Sequence, residues 1–231
     1  MGRQIAWTLA SQGANVVLNY GTYRKGAAAA ERARKECERL GGQAIAVRAD
    51  TRKPGDVARL VDEARSAFAK VDIAVCNAGG DFIETPLEKL ELAAWKRVVD
   101  AELDGAFLLS QALLPAMRKA GWGRLVFISW DRAVSATGPP YDYAVGKAAR
   151  DVLAQKLARA ERDHGITSNI VAPGYIPYPT DAESKGLVRH SKVWGSRKRS
   201  TNQDVAEAVS WLCSEEARFV NGSRIEIYGP H

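Results

Sequence analysis

Residues 71–80 read "VDIAVCNAGG". A short apolar run closed by a glycine turn is the pattern of a buried strand that delivers its carboxyl end to a loop. The same unit recurs outward in both directions. Toward the N-terminus, "NVVLNY" (15–20) is a strand followed by the alanine-rich helix "KGAAAAERARKECERLGG" (25–42), which Gly41 and Gly42 stop. "AIAVRAD" (44–50) is the next strand, and Pro54 opens a helix running to about Ala69. Toward the C-terminus comes a long helix from about Leu90 to Ala120, in spite of Gly105 and Pro115, and then the strand "GRLVFIS" (123–129). A helix from about Tyr143 to His164, the strand "TSNIVAPG" (167–174), a helix in "NQDVAEAVSWLCS" (202–214) and a final strand in "SRIEIYG" (223–229) complete the series. The segment 175–200 is rich in Pro, Gly and charge and is expected to be an irregular lid or substrate loop.

Strands alternating with helices predict one α/β domain over residues 1–231, a doubly wound parallel sheet covered on both faces. Right-handed crossovers then bring the turns "NAGG", "ISWD" and "APGY" to one rim, at the carboxyl ends of the strands where ligands bind in such sheets.

The bulk properties narrow the function. With 46% hydrophobic and 26% charged residues in 231, the chain can bury a real core, and no stretch is long and apolar enough to span a bilayer. The start lacks the pattern of a signal peptide. Cys37, Cys76 and Cys213 are odd in number and widely spaced, which fits reduced thiols in a cytoplasm. The net charge of +6 is dispersed except for "KGLVRHSKVWGSRKR" (185–199), either a solvated loop or an attractor for an anionic ligand. Nothing resembles a nucleic-acid motif, so no nucleic-acid partner and no membrane partner is expected. His164, His190 and His231 have no ligand-like spacing, so no metal site is expected. The absence of a GxSxG elbow argues against a serine hydrolase.

The chemistry concentrates in "YDYAVGKAA" (141–149), where Tyr143 and Lys147 stand one helical turn apart on one face. A neighbouring ammonium favours the phenolate, and a phenol so tuned can pass a proton to or from an alcohol or ketone oxygen. Tyr-x-x-x-Lys alone is a weak signal. Together with "NAGG" after one strand and "PG" after another, the sequence resembles the short-chain dehydrogenase/reductase family, of the classical type, over essentially its whole length. That resemblance implies a Rossmann-like fold, NAD(H) or NADP(H) as cofactor, and a small-molecule carbonyl or alcohol substrate. It implies Tyr143 as general acid/base and Lys147 as its electrostatic partner and ribose ligand. It also implies a cofactor site drawn from Gly2, Asn19, Tyr20, Arg24, Asp50, Asn77, Ala78, Gly79, Pro173 and Gly174, with Asp50 near adenine. Family members commonly form dimers or tetramers through the long helices, so a homo- or hetero-oligomer is expected. After "VVLNY" stands Gly21 rather than an acid, with Arg24 and Lys25 close behind; positive charge there suits a 2′-phosphate, so NADP(H) is favoured over NAD(H).

Three features depart from the family pattern. Met1-Gly2-Arg3 overlays the end of the family's glycine-rich loop. The first central strand and most of that loop are then expected to be missing, with Met1 an internal methionine of a longer reading frame; a shortened subunit is the alternative. Trp130 stands where the family has the substrate-polarising Ser. Ser129 next to it is a reserve catalytic candidate, able to take that place only if the strand end bulges. Glu102, in "VVDAELDGAF" (98–107), stands where the family has an Asn, and it either charges the surroundings of Tyr143 or pairs with a nearby base. Two readings therefore stay open: an active oxidoreductase, or a catalytically impaired relative serving as a structural subunit beside an active homologue.

Overall fold

The computed structural model describes residues 1–21, 26–135, 137–176, 180–189 and 200–228, with the backbone alone at 181, 188 and 189. The chain runs α1 (Gly2–Ser11), β1 (Val16–Tyr20), α2 (Gly26–Arg39), β2 (Ala44–Arg48), α3 (Pro54–Phe68), β3 (Ile73–Cys76), α4 (Leu92–Ala120) and β4 (Gly123–Ile128). It continues through α5 (Tyr141–Glu161), β5 (Ile166–Pro173), α6 (Asp181–Arg189), α7 (Asn202–Cys213) and β6 (Arg224–Ile227). Every strand pairing is parallel, as alternating strands and helices require. β4 and β5 are buried along their entire lengths, polar Arg124, Thr167, Ser168 and Asn169 included, as strands covered on both faces are.

The six strands form two sheets rather than one. β1 pairs with β2, and β3-β4-β5-β6 form a separate four-stranded sheet. Among the described residues no ladder joins them. Two helices bridge the halves instead. From α1, Ile5 enters the cluster of Val126, Ile128, Val171 and Val205 on the four-stranded sheet. Ala6, Trp7 and Ala10 of the same helix pack on Val16, Cys37 and Ala44 of the two-stranded part. From α3, Val61 joins Ala74, Cys76 and Phe127, while Leu60 packs with Val47 and Ala49. Burying apolar area is worth roughly 25 cal/mol per Å2 whichever sheet supplies the partner surface, so these helices can couple two sheets without a shared ladder.

Polar groups add to the bridge. Gln4 Nε2 donates to Gln203 Oε1 at 2.6 Å and to Ser184 O at 3.0 Å. Gln203 Nε2 in turn donates to Thr8 Oγ1 at 3.1 Å and to Glu207 Oε1 at 2.5 Å. This buried network fastens α1 to α6 and α7.

The segment 175–200 is not irregular throughout, because α6 lies within it. Thr180 and Glu183 explain the helix start: Thr180 N donates to Glu183 Oε2 at 2.7 Å, and Glu183 N donates to Thr180 Oγ1 at 3.3 Å. That reciprocal cap follows from a Thr-x-x-Glu spacing present in the sequence. α5 starts at Tyr141, ahead of the expected Tyr143, so Tyr143 sits in its first turn. No helix among the described residues is long and apolar enough to cross a membrane.

Candidate active site

The carboxyl ends of β3, β4 and β5 form a rim, and the first two turns of α5 lie against it. Lys147 anchors the helix there. Its Nζ donates to Ile128 O, the last carbonyl of β4, at 3.0 Å, and pairs with Glu102 Oε2 of α4 at 2.9 Å. The same Nζ lies 5.2 Å from the centroid of the Tyr143 ring. Burial, followed by repulsion from Arg150, lowers Lys147 from the ordinary 10.5 to about 8, against the opposing pull of Glu102. The i,i+4 expectation thus holds: Tyr143 and Lys147 share one face and meet at the rim.

Trp130, not Ser129, is the residue placed against Tyr143. The indole and phenol rings are 5.7 Å apart, tilted by 56°. Ser129 required a bulge to reach that position, and none forms. Ser129 N bonds Val171 O at 2.8 Å and Asp131 N bonds Pro173 O at 3.2 Å, the regular spacing of a continuing ladder. Adjacent side chains then face opposite ways. Ser129 is buried, with Oγ lacking a hydrogen-bond partner, and the expectation that it serves as the reserve catalytic hydroxyl is corrected accordingly. Phe82 also meets Tyr143, with ring centroids 4.4 Å apart and tilted by 36°. Nothing in the sequence singled out Phe82, since it lies in a loop without periodicity.

Glu102 pairs with bases rather than standing as a lone charge beside Tyr143. Besides Lys147 it meets Arg150 Nη2 at 3.0 Å through Oε2, and its Oε1 accepts from Gly80 N at 2.8 Å. Two glycines make room for it. A Cβ on Gly146 would lie 2.7 Å from Glu102 Cβ, and one on Gly79 would fall inside the carboxylate itself. Arg150 was missed in the sequence, although it lies three residues beyond Lys147 on the same helical face. Arg224 was missed as well: its Nη2 donates to Trp130 O at 2.7 Å and Asp131 O at 3.2 Å, pinning the turn after β4.

The expected cofactor residues divide between the two sheets. Asn77 sits beside α1, and a Cβ on Gly2 would lie 2.9 Å from Asn77 Nδ2. Ala78 and Gly79 are exposed, and α1 has no acidic residue in its first turn. A helix start of this kind, beside an amide and open backbone, fits the diphosphate of a dinucleotide. Pro173 ends β5, and Gly174 N donates to Ile227 O at 3.0 Å. On the two-stranded sheet, Asn19 Nδ2 donates to Ala49 O at 3.0 Å, and Tyr20 ends β1. Asp50 is held by Arg52 through two hydrogen bonds of 2.8 Å, which keep its carboxyl below the usual range. Arg24 and Lys25 lie outside the described residues, as do Tyr178, Trp194, His190 and His231. A groove of about 750 Å3 between β2 and α3, lined by Ile45, Val47, Ala58 and Asp62, involves none of the site residues. Among the described residues no cluster of His, Cys, Asp and Glu could hold a metal ion.

The comparisons with known proteins identify the family. The family model described as enoyl-(acyl carrier protein) reductase matches residues 1–229. Cis-4-hydroxycyclohexanecarboxylate dehydrogenase of Sinomonas cyclohexanicum is 32% identical over 231 residues, covering 99% of this chain and 91% of the relative. The 3-oxoacyl-[acyl-carrier-protein] reductase FabG of Escherichia coli is 30% identical, with 99% and 91% covered. A Bacillus thuringiensis structure, solved as a candidate 3-oxoacyl-reductase, superposes with a TM-score of 0.81 at 29% identity, covering 98% of this chain and 91% of that one. With the Tyr143–Lys147 pair on the rim of a Rossmann-like fold, the chain belongs to the short-chain dehydrogenase/reductase family of NAD(P)-dependent oxidoreductases.

Proposed function

We propose that this protein moves hydride between NADP(H) and the carbon of a small-molecule alcohol or ketone, with Tyr143 as general acid/base. The observation that carries this reading is the Lys147 ammonium, 5.2 Å from the Tyr143 ring at the carboxyl end of β4. A cation so placed favours the phenolate that must accept a proton from an alcohol, and Tyr143 returns the proton in the reverse direction. The names of two relatives, a hydroxycyclohexanecarboxylate dehydrogenase and a 3-oxoacyl reductase, share the exchange between a secondary alcohol and a ketone. Gly2 and the start of α1, with Asn77, Ala78 and Gly79, would hold the diphosphate. Asn19, Tyr20 and Asp50 would border the adenosine, and Lys147, Pro173 and Gly174 the nicotinamide end. When bound, the nicotinamide supplies or accepts the hydride. NADP(H) is preferred because Gly21 places no carboxylate after β1 and Arg24 and Lys25 follow in sequence.

Phe82 and Trp130 flank Tyr143 and give the substrate an aromatic surround, so an apolar alcohol or ketone is the substrate class. The whole chain acts as one domain. Exposed Phe107 on α4, with Val145 and Val152 on α5, supports association through these helices into a dimer or tetramer. Three buried free thiols support a cytoplasmic setting.

A specific observation favours a second reading, a catalytically impaired subunit. The ammonium of Lys147 already serves Glu102 and Ile128 O, and an indole replaces the hydroxyl expected beside Tyr143. Titrating the protein into NADPH while following nicotinamide fluorescence, then assaying small ketones, separates the two. Binding with turnover abolished by Tyr143→Phe supports the enzyme; binding without turnover, or no binding, supports the subunit.

A further inference from the structure

Arg150 is among the most buried side chains of the protein, although it carries a permanent charge. Its guanidinium gathers the rim. Nη1 donates to Cys76 O of β3 at 3.1 Å and Ile128 O of β4 at 2.9 Å. Nη2 donates to Ala78 O at 2.8 Å, and Nε to the backbone carbonyl of Glu102 at 2.7 Å. Lys147 and Arg150 share two acceptors, Ile128 O and the Glu102 carboxylate. With Lys147 protonated, the site beneath Tyr143 holds two cations and one anion in contact; once Lys147 has lost its proton, Arg150 is what still balances Glu102.

We propose that Arg150 is a positioning residue of this site, the permanent cation that acts through Glu102 and Ile128 O to keep the ground beneath the Tyr143 phenol from turning negative. Lys147 alone is an unsteady source of positive charge, because burial and Arg150 bring its proton loss down to about 8. An unperturbed phenol titrates near ~10, where such an amine is already neutral. The guanidinium is not lost at any working pH. Glu102 is then a brake: it holds Lys147 in place and, where Lys147 is neutral, cancels the charge of Arg150.

Other charged and titratable groups surround the cluster. Asp151 of α5 attracts Lys147 and is itself bonded by Arg224 Nε of β6 at 3.1 Å. Asp142 Oδ1 accepts from Tyr143 N at 2.8 Å. Cys76 of β3 has its thiol pushed up to about 11 by burial, so it stays neutral where the phenol titrates. Since Asp142 and Asp151 are untouched by changes at 102 or 150, those two positions decide the outcome.

The proposal rests on Tyr143 being the proton-transfer group, but its test needs neither cofactor nor turnover. Phenolate absorbance is titrated for the unliganded protein and that of Tyr143→Phe is subtracted from it, which isolates Tyr143, and the same pair is made in each variant background. Arg150→Met is expected to raise the Tyr143 midpoint by on the order of one pH unit, and Glu102→Gln to lower it by a similar amount. Arg150→Lys, whose buried amine would lose its proton before the phenol does, is expected to move the midpoint in the same direction as Arg150→Met. A role confined to structure predicts lost thermal stability with no such opposition of sign. Midpoints that move the same way in both variants, or a folded Arg150→Met whose midpoint is unmoved or lowered, overturn the proposal. If Arg150→Met does not fold, Glu102→Gln decides alone: a raised or unmoved midpoint overturns it.

Discussion

Replacing Lys147 by Met tests how far burial governs the site. In the folded chain the amine loses its proton near 8; in the unfolded chain it does so near the ordinary 10.5. Below 8 both states are protonated and above 10.5 neither is. Between those values the unfolded chain holds the extra proton, so raising the pH favours the folded state. At about 1.4 kcal/mol per pH unit the interval is worth about 3 kcal/mol. Lys147 therefore withholds stability at neutral pH and returns it in alkali, the reverse of an exposed lysine gaining a carboxylate partner. The measurement is urea unfolding of Lys147 and Lys147→Met chains just below pH 8 and again near 10.5, both in the Tyr143→Phe background so that the phenol does not contribute. The other titrating groups are common to both chains. Toward high pH the lysine chain should gain about 3 kcal/mol relative to the methionine chain. In thermal unfolding that corresponds to a difference growing by about 6 to 12 °C for a chain of this size. A stability difference that is the same at both pH values would show that Lys147 keeps an ordinary affinity for its proton, and the account of a desolvated ammonium would fail.

Further outcomes follow from the packing. Gly79→Ala pushes a methyl into the Glu102 carboxylate and should cost about 1–3 kcal/mol in denaturant unfolding; in a Glu102→Ala background that cost should largely vanish. Arg118 grips Glu161 through two hydrogen bonds of 2.7 and 2.5 Å between α5 and α4, holding the Glu161 carboxyl below its usual range. That stabilisation is present above the carboxylate range and is lost as the pH falls, so Arg118→Met should lower the melting temperature at neutral pH and lower it less in acid, read from melting curves across pH. Cys37, Cys76 and Cys213 are buried, with thiols pushed up to about 12, 11 and 12. A thiol reagent at neutral pH should label none of them in the native chain and all three in denaturant.

Much of the fold was legible because burial leaves a mark on residue choice. The apolar runs at 125–128 and 170–173 mark parts of β4 and β5, which are buried along their lengths; the burial of Thr167, Ser168 and Asn169 carries no such mark. The division into two sheets was not readable in that way, since pairing partners are set by tertiary placement and not by the pattern within one strand. The helix α6 was readable but overlooked. The proline and glycine content of 175–200 was allowed to outweigh Thr180-x-x-Glu183, whose reciprocal bonds start a helix whatever lies around it. In the site, Tyr143 and Lys147 were legible because an i,i+4 relation is local. Trp130 was legible through the family resemblance, whose Ser position it occupies; strand alternation added only that Ser129 faces the other way, as the regular ladder at Ser129 and Asp131 requires.

Glu102 and Arg150 are a different case, because neither can be interpreted singly. A carboxylate buried at Glu102 with Lys147 as sole partner would leave Lys147 to neutralise it while losing its own hydration. An arginine buried at Arg150 without Glu102 would set two cations against each other around Ile128 O. Removing one partner of such a buried set costs several kcal/mol, whereas the complete set can come close to neutral. The two residues are therefore intelligible as a pair, together with Gly79 and Gly146, which leave the space that the carboxylate fills. Residues 48 positions apart in sequence carry no local signal of that dependence. What periodicity could establish was the face on which Arg150 lies; that it meets Glu102 is decided by the packing of α4 on α5 and by the carbonyls of β3 and β4, which give its remaining protons somewhere to go.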